Sequence, residues 1–343
     1  MKTGKMGHEN KRFGAGSLLL AALCVFLYAV GFGGIFSSNV MRYLLQIFLY
    51  ICLGEAWNLL GGFAGMTSLG QQLYVGLAGY SVAVVTTLWH LPFFLGILLG
   101  MLVSMIVAAC LSPVLFRMKG MYFAIAKWIA AEAAQKIFLD WKYVGQGAGM
   151  TIRIVPYPDL SKIYIMSLTL CVIVILILAK LLRSKMGLGL MAMRDHPTAA
   201  STIGVNLFRT RFLVYEVSVA LTALTGAVFF INKGVIYPES GFSISWTVSV
   251  VFIGIIGGTG TVEGPVIGAV IYVLLQEFLA HYPGWSNIML GVTTILVICF
   301  MPGGIARKLP EVRQWGRFFL SHFSGRNKKD RSPVPQNRQE GRK

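Results

Sequence analysis

Apolar stretches of membrane-spanning length, separated by short polar or glycine-rich punctuation, fill most of this chain. Runs near residues 17–36, 43–60, 68–89, 92–116, 122–139, 163–182, 212–231, 244–256, 265–279 and 287–301 are predominantly apolar. A helix needs about 20 such residues to cross the hydrocarbon core. The pattern therefore predicts the all-α class, a polytopic membrane helix bundle of about ten spans (8–10) with glycine-rich helix breaks. The third, eighth and ninth runs are short or polar and flank those breaks, which makes them candidates for half-helices or re-entrant segments. Ten spans return the C-terminus to the side of the N-terminus.

One polar interruption is much longer than the rest. Residues 184–211 read S-K-M-G-L-G-L-M-A-M-R-D-H-P-T-A-A-S-T-I-G-V-N-L-F-R-T-R, with apolar runs on both sides. Arg183, Lys185, Arg194, Arg209 and Arg211 lie in or against it, which assigns it to the cytoplasm by the positive-inside rule. Asp195-His196-Pro197 reads as a helix start, a capping side chain followed by a proline where no N–H is missed. Gly204 supplies the stop. The two-turn helix between them, 197–203, is too short to hold in water by itself. It points to an element docked against a partner.

Composition narrows the class without changing it. Of 343 residues, 56% are hydrophobic and 13% charged, which excludes a soluble globule. The net charge of +17 is concentrated at the ends: eleven of the thirty Lys and Arg residues lie from Arg307 onward and four precede Gly14. That is an orientation signal of a polytopic protein, and no nucleic-acid partner is expected. The chain divides into a basic cytoplasmic N-terminus (1–15), a transmembrane domain (16–309) holding the cytoplasmic loop 184–211, and a basic cytoplasmic tail (310–343) expected to be partly disordered. The first run is read as an uncleaved span, since no small-residue cleavage site follows it. The cysteines, Cys24, Cys52, Cys110, Cys171 and Cys299, all sit in apolar runs without a C-x-x-C pair and are read as small apolar residues, neither disulfides nor metal ligands.

Candidate chemistry clusters in two glycine-rich segments. The first, N-L-L-G-G-F-A-G-M-T-S-L-G, contributes Asn58, Gly61, Gly62, Gly65, Ser68 and Gly70; the second, G-G-T-G-T-V-E-G-P, contributes Gly257, Gly258, Gly260, Thr261, Gly264 and Pro265. Both fall near the cytoplasmic ends of spans. Two readings stay open: tight packing and turns, or broken backbone lining a path, which survives at membrane depth only where protein or water satisfies it. Neither is a phosphate loop, for no G-K-[ST] follows. Glu55, Lys127, Glu132 and Glu216 are intramembrane charges, costly unless paired or wet. Glu132 and Lys136, spaced i,i+4, can pair on one helix face. Ala126, Ala130 and Ala134 form a small-residue stripe, which predicts that the fifth span is buried in the bundle. No H-E-x-x-H, nucleophile elbow or Cys/His cluster occurs, so no catalytic residue and no metal site is assigned, and an enzyme is not expected. Lys127 with Glu132 is the one hint of an ion-coupled secondary transporter or channel.

Taken in order, several stretches resemble the permease subunit of a branched-chain amino acid ABC importer, of the LivM type. They are N-L-L-G-G-F-A-G-M-T-S-L-G from Asn58, M-K-G-M-Y-F-A-I from Met118, the long polar segment from Ser184, G-G-T-G-T-V-E-G-P-V-I-G-A from Gly257, and P-G-G-I near the end. The resemblance implies a multi-pass protein of the bacterial cytoplasmic (inner) membrane with both termini cytoplasmic. It implies a pore shared with a second related permease subunit, two ATP-binding subunits on the cytoplasmic side, an extracytoplasmic solute-binding protein, and membrane lipid around the spans. No cofactor is expected on this chain; ATP and Mg would be used by the partner subunits. In such permeases a short cytoplasmic helix sits in a cleft on the ATPase, which gives Arg194, Asp195, Pro197, Thr198, Ala199, Ala200 and Gly204 a coupling role. The importer pattern E-A-A-x-x-x-G matches Thr198-Ala199-Ala200-x-x-x-Gly204 with threonine in place of glutamate. Lys127-Trp128 is a second departure, since relatives more often carry a small hydroxyl residue and leucine there. The implied cargo is a branched-chain amino acid or similar small polar solute; relatives of this architecture also serve urea and short amides.

Overall fold

A long, predominantly apolar helix with a wide last turn is the first complete element of this computed structural model. The structure describes residues 37–118, 120–202, 204 and 206–280, together with positions 25–29, 31, 288, 289, 291, 292, 295, 304 and 305; of Pro197, Ala199 and Ala280 it describes the backbone only. Most of the expected first and tenth spans, Ile203, Cys24, Cys299, the N-terminus 1–15 and the tail 310–343 lie outside the described residues.

Helix α1 (Ser38–Asn58) is followed by α2 (Gln72–Thr87), α3 (Phe93–Leu115), α4 (Met121–Asp140), α5 (Leu160–Arg183), α6 (Lys185–Asp195), α7 (Pro197–Thr202), α8 (Leu207–Lys233), α9 (Pro238–Gly241), α10 (Ser245–Gly257) and α11 (Glu263–Ala280). Eight of these reproduce the second to ninth apolar runs to within a few residues. Five described stretches, Ser38–Phe63, Phe93–Leu115, Leu160–Arg183, Leu207–Lys233 and Pro238–Gly257, are long and apolar enough to cross a membrane. Helix α2, with 16 residues, reaches only about 24 Å at 1.5 Å per residue. The chain is an all-α membrane helix bundle.

Two clusters share one spine. α1 packs against α5, α10 and α11 on one side, α2 and α3 pack together on the other, and α8 touches members of both. α8 can run 27 residues because it is closed at both ends: the Asn206 side chain accepts from the Arg209 N–H (3.0 Å), and Gly234, at φ +74°, turns the chain out. Nearly all of α2 is buried, so its neighbours must approach its backbone. They do so through glycine: a Cβ on Gly226 of α8 would lie 2.7 Å from the Val75 Cα, and one on Gly96 of α3 would lie 2.9 Å from the Val82 Cα. On α3 the buried face is Gly96, Gly100, Ser104, Ala108 and Ser112, an i,i+4 row of small residues.

That row corrects an expectation. The alanine stripe of α4 was read as evidence of burial within the bundle, yet Ala126, Ala130 and Ala134 are only half-buried and Met121, Tyr122, Ile125, Trp128, Ile129 and Ile137 are exposed. Small residues permit close packing without compelling it; on α4 only one edge of the helix is engaged, by α2, α3 and α9. The pattern also gave no sign of a two-residue antiparallel ribbon, β1 (Met150–Thr151) with β2 (Val235–Ile236), in the register Met150↔Ile236. It ties the loop after α4 to the end of α8. Cys52 and Cys171 are buried free thiols and Cys110 is an exposed one.

Candidate functional site

The two glycine-rich segments, separated by about two hundred residues of sequence, meet. α1 does not stop at Asn58 but widens into a π-helical turn, Leu59–Phe63, where Ala64 N–H reaches Leu59 O (3.2 Å) and Met66 N–H reaches Leu60 O (2.9 Å). Gly65, at φ +69°, then breaks the helix. The second segment is the turn of a helical hairpin: α10 ends at Gly257, and Thr261 starts α11 by donating to Gly258 O (2.9 Å) and accepting from the Gly264 N–H (3.2 Å). A Cβ on Gly257 would fall on the Gly264 carbonyl, so this hairpin closes only with glycine at that position. Pro265, in the first turn of α11, packs on Gly54 of α1.

Asn58 is the clamp between the segments. Its Nδ2 donates to Thr261 O (2.8 Å) and its Oδ1 accepts from Gly260 N–H (2.8 Å), a two-point bond to the backbone of the far turn. Gly62 lies against this pair, and a side chain there would strike the Asn58 carboxamide. From the polar segment, Arg194 reaches the same place: its Nη1 donates to the Gly62 carbonyl, while its aliphatic part lies against Gly65 and its guanidinium against Gly260. Gly304, of the P-G-G-I stretch, touches Gly258. Of the residues singled out by sequence, Gly61 rests on the Trp57 ring, whose indole N–H donates to Ser68 O (2.9 Å).

Below this hub, Ser68 turns to α4. Its hydroxyl accepts from the Lys127 ammonium at 2.7 Å, and Gly70 lies on the Lys127 backbone. Lys127 is 1% exposed. Its Nζ stands 4.8 Å from the Tyr215 ring centre, 5.3 Å from Tyr74 and 5.9 Å from Phe123, and the two tyrosine hydroxyls are bonded to each other. No described carboxylate lies within ion-pair distance of it; the one ion pair among the described residues is Lys162–Asp159. The Glu132–Lys136 pair that the spacing allows is not formed: Glu132 accepts from the Trp128 indole N–H (3.1 Å) on the exposed side of α4. Lys127 and Glu132 face different surroundings and form no charge chain.

The other acids lie in a polar seam between α1, α2 and α8. Glu55 is fully buried with one oxygen 3.5 Å from Asn58 Nδ2 and the other unbonded, and one oxygen of buried Glu216 also has no partner among the described residues. Gln71 and Gln72, which the sequence reading passed over, accept from Thr222 and Thr247 and leave their amide nitrogens unbonded. Tyr74, Tyr215 and Trp57 were likewise missed; an aromatic in an apolar run carries no mark of what it faces.

In the polar segment Pro197 does begin a helix, and Gly204, at φ +86°, turns the chain after it. The residues before it behave differently from expectation. Asp195 is the last residue of α6, an eleven-residue helix that the sequence reading did not foresee, and His196 is the joint between α6 and α7. Thr198 is exposed, whereas Ala200 is 1% exposed and packed on its own chain. No cluster of metal-binding side chains occurs among the described residues.

A profile of the branched-chain amino acid transport system permease component matches residues 39–298, and the chain belongs to that family. It is 24% identical over 319 residues to the high-affinity branched-chain amino acid transport system permease protein LivM of Salmonella typhimurium, covering 84% of this chain and 74% of the relative. The Escherichia coli K12 LivM protein is 23% identical over the same shares. The E. coli K12 LivH permease is 28% identical over 133 residues, 38% of this chain and 42% of the relative. No solved structure matches the chain. The protein is a multi-pass membrane transport permease of the ABC importer kind, not an enzyme.

Proposed function

We propose that this chain forms one half of the translocation pathway of an ATP-driven importer for branched-chain amino acids or similar small polar solutes. Its partners are a second related permease, two ATP-binding subunits that use ATP and Mg, and an extracytoplasmic solute-binding protein. It crosses the bacterial inner membrane about ten times with both termini in the cytoplasm, and segment 184–211 lies on the cytoplasmic side, where α7 docks on an ATPase. The reading is supported above all by Arg194. It begins in the polar segment and ends on the carbonyl of Gly62, within the hub where Asn58 joins the two glycine-rich turns.

The mechanical consequence follows. A six-residue helix gains its order from what it touches. Movement of α7 pulls α6 through the His196 joint, and Arg194, near the end of α6, carries that displacement to Gly62 and Gly260. Glycine-rich turns can take up such a change at little steric cost. Arg194→Ala keeps the helices but removes the guanidinium. In proteoliposomes holding the full complex it is expected to leave assembly and binding-protein capture intact while lowering uptake about tenfold or more, a loss of coupling of about 1.4 kcal/mol. Normal uptake in Arg194→Ala, or ATP hydrolysis by the purified chain alone, would defeat the reading.

A further inference from the structure

We infer that Trp128 and Glu132 form an ammonium-recognising subsite on the wall of the translocation path, which selects solutes carrying a primary amine. The inference rests on the permease reading and deepens it, because it separates amino acids from urea and neutral amides. Helix α4 is long enough to cross a membrane, with 20 residues, yet Lys127, Glu132, Lys136 and Asp140 lie along it. Lys127 is pinned inside the chain by Ser68 and three aromatic rings, which fixes the rotation of the helix. With Lys127 inward, Trp128 stands exposed and Glu132 half-buried on the open side, a little past the middle of the helix and so, in the proposed topology, at membrane depth.

An outward carboxylate at that depth is costly against hydrocarbon and requires either water or a charged partner. No described cation lies within ion-pair distance of Glu132; its recorded bond is the Trp128 indole N–H at 3.1 Å, a donor that holds one oxygen and leaves the other free. The other two acids singled out within the spans, Glu55 and Glu216, are buried. The open face of α4 thus offers the Glu132 carboxylate beside one aromatic ring, at 38% exposure for Trp128, with Lys136 and Asp140 exposed further along the helix. The Glu132 carboxylate and the Trp128 ring match an ammonium: the carboxylate accepts its N–H bonds and the ring face attracts the charge. Urea and simple amides carry no charge for either group to recognise.

The test uses the complete complex in proteoliposomes, with leucine as cargo and with uptake, ATP hydrolysis and subunit assembly measured together. Glu132→Gln and Trp128→Ala are expected to cut leucine imported per ATP hydrolysed about tenfold, Glu132→Asp and Trp128→Phe to restore most of it, and all four to assemble normally. Butylammonium, added at a concentration that leaves leucine on the binding protein, is expected to inhibit uptake by the unmodified complex and to lose that effect in Glu132→Gln. Unchanged leucine uptake per ATP in both Glu132→Gln and Trp128→Ala overturns the subsite. So does a failure of Glu132→Gln to bind the second permease, which would make Glu132 a subunit contact. An unmodified complex that imports urea but no amino acid overturns the amino-acid reading itself, before any variant is compared.

Discussion

Helices α3 and α4 follow one another in the chain, have similar lengths and turn most of their side chains outward, yet they face different surroundings. In α3 the buried side is a row of glycine, serine and alanine, and the outward side is apolar throughout: Phe94, Leu95, Leu98, Leu102, Ile106 and Val114. In α4 the outward side mixes apolar residues with Trp128, Glu132 and Lys136. Exposure in the isolated chain is the same observation in both cases. Chemistry divides them: hydrocarbon accepts the first face and rejects the second, so α3 is lipid-facing and α4 borders protein or water.

Two isoleucines provide the sharpest break. Ile106 on α3 is 62% exposed and Ile129 on α4 is 59% exposed, both well inside their helices. Ile106→Lys places an ammonium in lipid and is expected to cost about 2.5–3.5 kcal/mol of insertion free energy. Ile129→Lys, on a face already bordered by charge, is expected to cost less than about 1 kcal/mol on the same scale. Yield of folded, membrane-integrated protein for the two variants in one assay reads the difference. Equal losses would show that the open side of α4 also meets lipid, and would remove the ground for the subsite there.

The same comparison separates what the sequence made legible from what it did not. Apolar run length placed eight helices, because a span must be apolar over its whole length whatever surrounds it. The two glycine segments stood out in the sequence, since a cluster such as Gly61, Gly62 and Gly65 interrupts an apolar run, but the run alone left packing and path-lining open. That Asn58 clamps one to the other, and that Arg194 reaches both, was not legible: a hydrogen bond across about two hundred residues leaves no periodicity. The i,i+4 spacing of Glu132 and Lys136 satisfied the rule for a pair, but the Trp128 indole, also at i,i+4, takes the carboxylate. The small-residue rule predicted burial of α4 and failed there while holding on α3, because alanine is compatible with either surrounding and glycine against a backbone is not.

That last distinction can be measured. A Cβ on Gly100 of α3 would lie 3.0 Å from the Ala78 Cα and 3.1 Å from its carbonyl oxygen, so Gly100→Val must push two backbones apart. Overpacking of this kind typically costs about 1–3 kcal/mol. Ala130→Val, on the half-buried edge of α4, is expected to cost under about 1 kcal/mol. Unfolding of the two variants in detergent–lipid micelles provides the comparison, and a larger loss at Ala130 would place the tight seam on the wrong helix.

The smallest expected effect concerns the inward side of α4. Lys127 is held by the Ser68 hydroxyl and three rings, and a desolvated cation over an aromatic face gains about 2 kcal/mol or more. Against that stands the cost of a buried charge with no carboxylate beside it, several kcal/mol per ion even after relaxation. The two nearly cancel, so Lys127→Met, which keeps most of the volume and removes both effects, is expected to change stability by less than about 1 kcal/mol, in the stabilising direction if either. Lys127→Ala removes the same charge but leaves a void, and is expected to cost about 2–5 kcal/mol, as for other large-to-alanine changes in cores. The gap between the two substitutions measures packing alone. If Lys127→Met instead unfolds the chain as badly as Lys127→Ala, the ammonium itself holds α4 in its rotation, and the outward placement of Trp128 and Glu132 then depends on a charge one residue away from the pair it orients.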